Sequence, residues 1–404
     1  MTEARTTNAM ALEGVRVLDL TWVIAGPVST QILADYGAEV IKLESERSID
    51  PGRMGGPWLD GINTAPDGGG SFTRLNRNKL SATLNLKDPR GVELFKKLVA
   101  VSDVIVNNYS AGTMDRFGVG YETLKAVNPR LIMAEMSGMG QTGPYREHAA
   151  YGQTLMATGG LYELTGYPNG SPQLPGYTYA DFASPTIGAF AIMAALIWRQ
   201  SSGKGQYIDL AQFQVAASLA AEPQIEALVN GTDQSRQGNA EAGTIVHECF
   251  RCEGEDEWCV IVVRTKHEWA QLRKVVGDRL TETVSGAASA NDLEAIEAWT
   301  MTQSSRAVME ALQGLGVEAG RVQDIRMLVD EDEHIRERGY YTTYDHLIGK
   351  KAFVDGPAFK MSATPGSVRR PGPVYGIDND YVFGELAGLS QAEIQTMRDE
   401  RVIA

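Results

Sequence analysis

Cysteine is scarce in this chain: three residues in 404, too few for a disulfide framework. Long apolar runs are missing as well. The longest strongly hydrophobic stretch, Ile187 to Trp198, is shorter than the roughly 20 residues that cross a bilayer. The opening residues Met1 to Met10 are polar and carry no apolar signal core. These absences predict a soluble, cytoplasmic protein with no membrane segment. Positive charge is the minority sign, with 37 Lys and Arg against 51 Asp and Glu and a net charge of −14. A nucleic-acid binder would show a basic face, so nucleic acid is not expected as a partner. A local basic pocket for an anionic ligand remains compatible with that charge.

Familiar catalytic signatures are also lacking. A dinucleotide-binding fold carries G-x-G-x-x-G directly after its first strand. Here the first strand is followed by Thr21-Trp22-Val23-Ile24-Ala25-Gly26-Pro27, and one Gly before a Pro is not a phosphate cradle. There is no P-loop, no H-E-x-x-H and no G-x-S-x-G. Cys249 and Cys252 form a single C-x-x-C near His247. A structural zinc site usually needs four ligands, often as two such pairs. With no second pair, these residues and Cys259 read as strand cysteines, and no metal site is predicted.

What is present is an ordinary globular composition, 43% hydrophobic, 22% charged and 8% aromatic, with room for two or three domains. Val15 to Leu20 reads as a short buried strand. Ala25-Gly26-Pro27 then leads into a helix from Val28 to Tyr36, and Val40 to Leu43 forms the next strand. Further strands at 81–86, 104–106, 131–136 and 207–210 alternate with helices at 88–101, 121–127, 185–198 and 212–229. Such alternation predicts an α/β class with a parallel sheet covered on both faces. After a polar, glycine-containing stretch at 231–243 the pattern changes. Strands at 245–251 and 258–263 and helices near 267–276, 291–300 and 303–314 predict a smaller α+β domain. A last helix, 391–398, opens with the capping box Ser390-x-x-Glu393. The loop 55–70 is long and rich in Gly, Pro, Asp and Asn, as functional loops often are.

Asp181 is the most informative single residue. It follows a Gly/Pro-rich loop and precedes the apolar helix at 185–198. A carboxylate at a helix start lies near the positive end of the helix dipole, which favours its ionised form. An ionised, oriented carboxylate can attack a thioester. The alternative is N-capping, the common duty of Asp at that place. Ser184-Pro185 offers a better cap and first helical residue, which would leave Asp181 free one turn upstream.

Several stretches taken together resemble the class III CoA-transferase family, the group with formyl-CoA:oxalate and carnitine CoA-transferases. They are Leu12 to Leu20, Ala25-Gly26-Pro27, Gly37 to Glu44, Asn76-Arg77-Asn78-Lys79 with Leu86-Lys87, and Asp103 to Tyr109. Asn128 to Ile132, Ser137 to Pro144, Gly203 to Gln206 and Tyr381 to Leu386 complete the set. The resemblance spans nearly the full length. It implies a large Rossmann-like domain built from residues 1–225 and a returning segment, 329–404, with a small α+β domain at 226–328 between them. It also implies an interlocked dimer, a homodimer or a heteromer with a related subunit. No permanently bound cofactor is implied; a coenzyme A thioester and a carboxylic acid are the substrates.

The resemblance places the family's nucleophile on Asp181, which would pass through an acyl-aspartyl anhydride and an aspartyl-CoA thioester. It places CoA contacts on Val23, Ile24, Ala25, Leu84, Lys87, Asn108, Tyr109 and Arg116. Two departures stand out. Ser45 and Ala149 occupy positions where the formyl-CoA type has basic residues, with Arg47 and Arg146 as nearby alternatives. The region of that type's Gly-rich lid reads Gly238 to Gly243 here. The segment His247 to Val263 is similar to members that use succinyl-CoA and larger dicarboxylic acids, benzylsuccinate among the acceptors. The acceptor pocket is expected to draw on the 55–70 loop and Trp58, for which simple packing is the alternative.

The nearest rival is an α-methylacyl-CoA racemase, a relative that pairs the equivalent Asp with a His. Its G-H-D-type motif falls at Ala150-Tyr151-Gly152, which has no His; His148 would have to substitute. A non-catalytic CoA-binding subunit of a heteromer is the third reading, and the presence of Asp181 argues against it.

Overall fold

Strands β1 (Arg16–Asp19), β2 (Glu39–Glu44), β3 (Leu80–Thr83), β4 (Val104–Asn107), β5 (Ile132–Glu135) and β6 (Tyr207–Asp209) form one parallel sheet. Its order is β3-β2-β1-β4-β5-β6. This is a computed structural model, and it describes residues 10–61, 63–282 and 284–404. The polar opening stretch, apart from Met10, lies outside the described residues. The chain divides into two compact units. The larger takes the chain through Leu161, then Gly176–Ile225 and Arg336–Ala404; the smaller takes Tyr162–Pro175 and Glu226–Ile335.

The strands are apolar on both faces because helices cover both, as parallel sheets require. Leu18, Ile41, Ala82, Ile105 and Met133 point to one side and pack with Phe95 and Leu98 of the Pro89–Ala100 helix. Val17, Val40, Val104, Ile132 and Ala134 alternate with them and pack with Leu33 of the Ala25–Asp35 helix and Ile192 of the Tyr179–Ser202 helix. Asp88 starts the Pro89–Ala100 helix by accepting from the Arg90 N–H at 2.9 Å. The chain runs outward from β1 through β2 to β3, then returns to lay β4 on the other side of β1. Between the carboxyl ends of β1 and β4 this reversal opens a crevice, the usual ligand position in such sheets.

The C-terminal segment adds the hairpin β10 (Tyr341–His346) and β11 (Lys350–Asp355), then closes on β3. Asn379 accepts from the Thr83 N–H at 2.8 Å and donates to the Ala404 carbonyl at 2.6 Å. Val382, Phe383, Ile394 and Ile403 complete the core on that side. The capping box at Ser390 and Glu393 is formed.

Two helix assignments need correction. The helix placed at 185–198 runs from Tyr179 to Ser202, with Thr178 at its cap position. Ser184 is therefore buried inside the helix rather than capping it, and Pro185 is an interior residue. At 24 residues this helix is long and apolar enough to cross a bilayer, which the shorter run was not. Its Gly188, Ala189, Ile192 and Ala195 are nonetheless buried inside the larger unit. The helix placed at 212–229 is two, Gln212–Ser218 and Ala221–Asn230. Pro223 has no N–H to continue the first, and suits the first turn of the second.

In the smaller unit, β7 (Val246–Arg251), β8 (Trp258–Val263) and β9 (Glu318–Arg321) pair antiparallel. Helices Lys266–Val276, Ala290–Thr300 and Ser305–Gln313 supply Trp269, Leu272, Ile296 and Val308 to a core with Phe250 and Ile261. Cys249 and Cys259 lie on the paired strands; Cys252 sits in the turn just beyond β7.

Candidate active site

Two cavities open along the crevice in the larger unit. One, of about 320 Å³, lies over the ends of β1 to β4 and is lined by Leu84, Lys87, Tyr109 and Arg116. The other, of about 130 Å³, is lined by Val23, Ile24, Ala25, Asn108 and Tyr109, and by Asp181. They share Trp22, Tyr109 and Ser110 as a common wall. All nine residues singled out in the sequence thus line one continuous crevice. Trp22 meets Tyr109 edge to face, with ring centroids 5.4 Å apart.

The turn that follows β1 is held in an unusual shape. Val23 has φ +66°, a region costly for a β-branched side chain. Its N–H donates to Asp50 Oδ1 at 3.0 Å. Asp50 in turn pairs with Lys42 at 2.9 Å, and Lys42 Nζ also donates to the Thr21 carbonyl at 2.7 Å. Beside it, Lys79 Nζ pairs with Asp19 at 2.8 Å and donates to the Pro27 carbonyl at 3.0 Å. Both lysine side chains are fully buried. Burial pulls the Lys79 ammonium down to about 8, against the opposing pull of Asp19. Asn108 clasps the same turn at both ends of its amide: Oδ1 accepts from the Trp22 N–H and Nδ2 donates to the Trp22 carbonyl, each at 3.0 Å. Gly26 is required below it, because a Cβ there would lie 2.3 Å from Thr21 Cβ and 2.9 Å from Asn108 Cγ. Asp50→Ala removes the acceptor for Val23 and leaves Lys42 short of its nearest carboxylate. We expect it to destabilise the fold by about 3 kcal/mol, the lower range for a broken buried pair because Asp19 remains near. Chemical denaturation of the purified variant measures this.

Asp181 is the third residue of its helix and is half-buried. Burial pushes its carboxyl above the ordinary 3.8, and a hydrogen bond with Thr178 only partly offsets this. The shift is opposite to the one expected from a helix start, and loss of water is its cause. Pro185 cannot donate to the Asp181 carbonyl four residues back, so the first turn lacks one of its bonds. Against it, Gly152 comes so close that a Cβ on it would lie 2.1 Å from Asp181 Oδ2. Arg146, His148, Ser137 and Gln212 share this cavity.

Nothing in the local sequence marked Trp22 or Asp50, or the closeness of Gly152 to Asp181. Their roles arise from contacts between distant segments, and no local spacing records them. Arg47 and Arg146, raised as stand-ins for Ser45 and Ala149, line the first and second cavities respectively. Trp58 and its loop line neither. The loop folds back on itself, Trp58 bridging to Gly69 and Gly70 N–H donating to the Pro57 carbonyl at 2.7 Å. It is also tied inward by Arg53, which pairs with Glu44 and Asp67.

Comparison with known proteins gives consistent matches. The pattern that defines CoA-transferase family III matches residues 12–379. The succinyl-CoA–L-malate CoA-transferase beta subunit of Chloroflexus aurantiacus is 32% identical over 416 positions, covering 98% of this chain and 99% of that protein. Succinyl-CoA:glutarate CoA-transferase of Homo sapiens is 31% identical over 387 positions, covering 94% and 86%. The crystal structure of a CaiB/BaiF family protein from Brucella suis superimposes with a TM-score of 0.84 at 29% identity, covering 94% and 100%.

Proposed function

The chain belongs to CoA-transferase family III, a class III CoA-transferase, and from that premise we propose that Asp181 relays CoA from one carboxylic acid to another through covalent intermediates. The observation that carries this reading is the crevice itself. A half-buried carboxylate stands at one end and the cations Lys87 and Arg116 at the other, with the Trp22–Tyr109 wall between them.

In this reading the CoA phosphates meet Lys87 and Arg116. Leu84 packs on the adenine side, and the thioester arm passes Tyr109 and the Val23–Ala25 turn to reach Asp181. Asn108, with both ends of its amide engaged, acts by holding that turn. The Asp181 carboxylate attacks the acyl carbonyl; the C–S bond breaks and CoA leaves as the thiolate. The thiolate attacks the Asp181 carbonyl of the anhydride, freeing the donor acid and leaving an aspartyl-CoA thioester. The acceptor carboxylate attacks this thioester, giving a second anhydride. The returning thiolate attacks the acceptor's carbonyl and regenerates Asp181. The Ala25–Asp35 helix has no side-chain cap, so the N–H groups of Ala25 and Gly26 lack an acceptor within the helix, and Ala25 lines the Asp181 cavity. They are our choice for stabilising the oxyanions.

Both relatives described above carry succinyl-CoA in their names, and their acceptors are dicarboxylic acids. We therefore take succinyl-CoA as the donor and a dicarboxylic acid as the acceptor, with Arg146, paired at the surface with Glu147, lining the cavity that would take the distal carboxylate. The exposed Ile187, Phe190, Ile197 and Trp198 on the long helix favour an interlocked partner subunit, a second copy or a related chain. A cytoplasmic location fits these substrates.

A second reading is favoured by one observation: His148 lines the same cavity as Asp181, as an acid/base pair for α-carbon epimerisation requires. The two are separated by incubation with succinyl-CoA in deuterated water, with and without a panel of dicarboxylic acids. Transfer yields one free succinate per new acyl-CoA and no α-deuterium. Exchange of α-hydrogen without any acceptor would establish the epimerase instead.

A further inference from the structure

Two polar groups at the Asp181 cavity have no part in the account so far. Ser137 and Gln212 both line it. Each is more than nine-tenths buried, at 3% and 6% exposure. Among the described residues the Ser137 hydroxyl has no hydrogen-bond partner, and neither has Gln212 Oε1. Nearly all buried polar atoms in folded proteins are paired, because leaving one unpaired is costly. Here two unpaired ones belong to residues that wall the same cavity as the nucleophile.

The backbone fixes how they are presented. Ser137 lies just past the carboxyl end of β5, and Gln212 opens the Gln212–Ser218 helix just past β6. The Gln212 N–H donates to the Ser137 carbonyl at 3.1 Å, and its Nε2 donates to the Met136 carbonyl at 2.8 Å. These bonds clamp Gln212 to Met136 and Ser137 at one end of the sheet. A carbonyl only accepts, so the amide must turn Nε2 towards Met136. That leaves Oε1 facing away from Met136, an acceptor without a donor.

The chemistry of the pair limits what satisfies it. Gln212 Oε1 cannot donate, so an ionised carboxylate cannot bond to it. A serine hydroxyl both donates and accepts. A ligand hydroxyl meets both groups: its hydrogen goes to Gln212 Oε1, and its oxygen accepts from Ser137. An N–H, such as those of the pantetheine arm of CoA, would satisfy Gln212 and leave the Ser137 hydrogen unused.

Resting on the reading of this cavity as the site of CoA transfer, we propose that Gln212 and Ser137 bind a hydroxyl group of the acceptor, which is therefore a hydroxydicarboxylic acid. One carboxylate reacts at Asp181, the other meets Arg146, and the hydroxyl meets Gln212 and Ser137, all lining one cavity. An acid without the hydroxyl leaves both groups unpaired and is selected against.

The test compares acids that carry a hydroxyl or a methyl at the same carbon: malate against methylsuccinate, and 2-hydroxyglutarate against 2-methylglutarate. Each is given to the full chain with succinyl-CoA, and kcat/KM is measured from the new acyl-CoA by mass spectrometry. Wild type should prefer the hydroxy acid in at least one pair by about tenfold or more, the scale of one buried group left unpaired. Gln212→Met and Ser137→Ala should each bring that ratio below about threefold, the loss falling on the hydroxy acid. Ser137→Ala removes a hydroxyl that bonds to nothing in the fold, so the test stands even if Gln212→Met, which loses the bond to Met136, fails to fold. A wild-type ratio near one for both pairs would mean that water fills the position with either acid, and would overturn the assignment. Equal loss with both acids in the variants would overturn it too, placing the bond on a group common to both reactions such as a pantetheine amide. Exchange of labelled succinate into succinyl-CoA checks the transfer reading separately. Exchange without transfer to any of these acids would overturn the hydroxyl assignment alone; absence of exchange would overturn the transfer reading itself.

Discussion

Asp181→Ala is expected to lower kcat by roughly 10⁴-fold or more, the scale of losing a group that acts as nucleophile within a catalytic unit. CoA affinity should stay within about threefold, because the phosphate-binding cations line a different cavity from Asp181. Asp181→Asn separates catalysis from folding. Burial raises the Asp181 pKa above its ordinary 3.8, so the folded chain holds that proton more tightly than the unfolded chain does. The resulting stability is fully present below 3.8 and is lost as pH rises through the folded-state pKa. At neutral pH the ionised carboxylate weighs against the fold. Asp181→Asn should therefore unfold at a higher temperature than wild type at pH 7 while being inactive. An inactive variant that is also less stable would point to a structural role for Asp181.

Gly152→Ala is the second large effect. A Cβ at this position would lie 2.1 Å from Asp181 Oδ2, 2.7 Å from its Cγ and 2.9 Å from Thr178 Cβ. The carboxylate, its hydrogen-bond partner or the Gly152 backbone must then move by the better part of an ångström. Displacement of that size at a reacting atom costs about 10²-fold in rate. We expect kcat to fall by that factor with CoA affinity unchanged, measured by steady-state kinetics and calorimetry on one preparation. A variant with wild-type kcat would show that the Gly152 contact does not set the position of Asp181.

These two residues differ in how far they could be read in advance. Asp181 was visible, but its role was divided between cap and nucleophile, because both duties place an Asp at a helix start. The structure makes it the third helical residue, bonded to Thr178, and burial raises the pKa of its carboxyl. Gly152 was visible only as the neighbour of Tyr151, which stands where the racemase motif has its His; its contact with Asp181 joins two helices that no spacing links. The sheet was legible because β1 to β5 are buried on both faces and read as apolar runs between amphipathic helices. The β10–β11 hairpin was not, since Tyr341 to His346 mixes exposed and buried positions with polar residues throughout. β9, the tetrapeptide Glu318–Arg321, contains a Gly and no strong strand former, and exists through its pairing with β8.

The central claim is that Asp181 becomes covalently attached to the acyl group. Incubation of the wild-type protein with succinyl-CoA alone, trapping with hydroxylamine or borohydride, and peptide mass spectrometry test it most directly. The account predicts one modified residue, Asp181, formed without any acceptor acid and absent when the acyl-CoA is omitted. Full CoA transfer to an acceptor with no modification of the Asp181 peptide, or modification of a different residue, would contradict it.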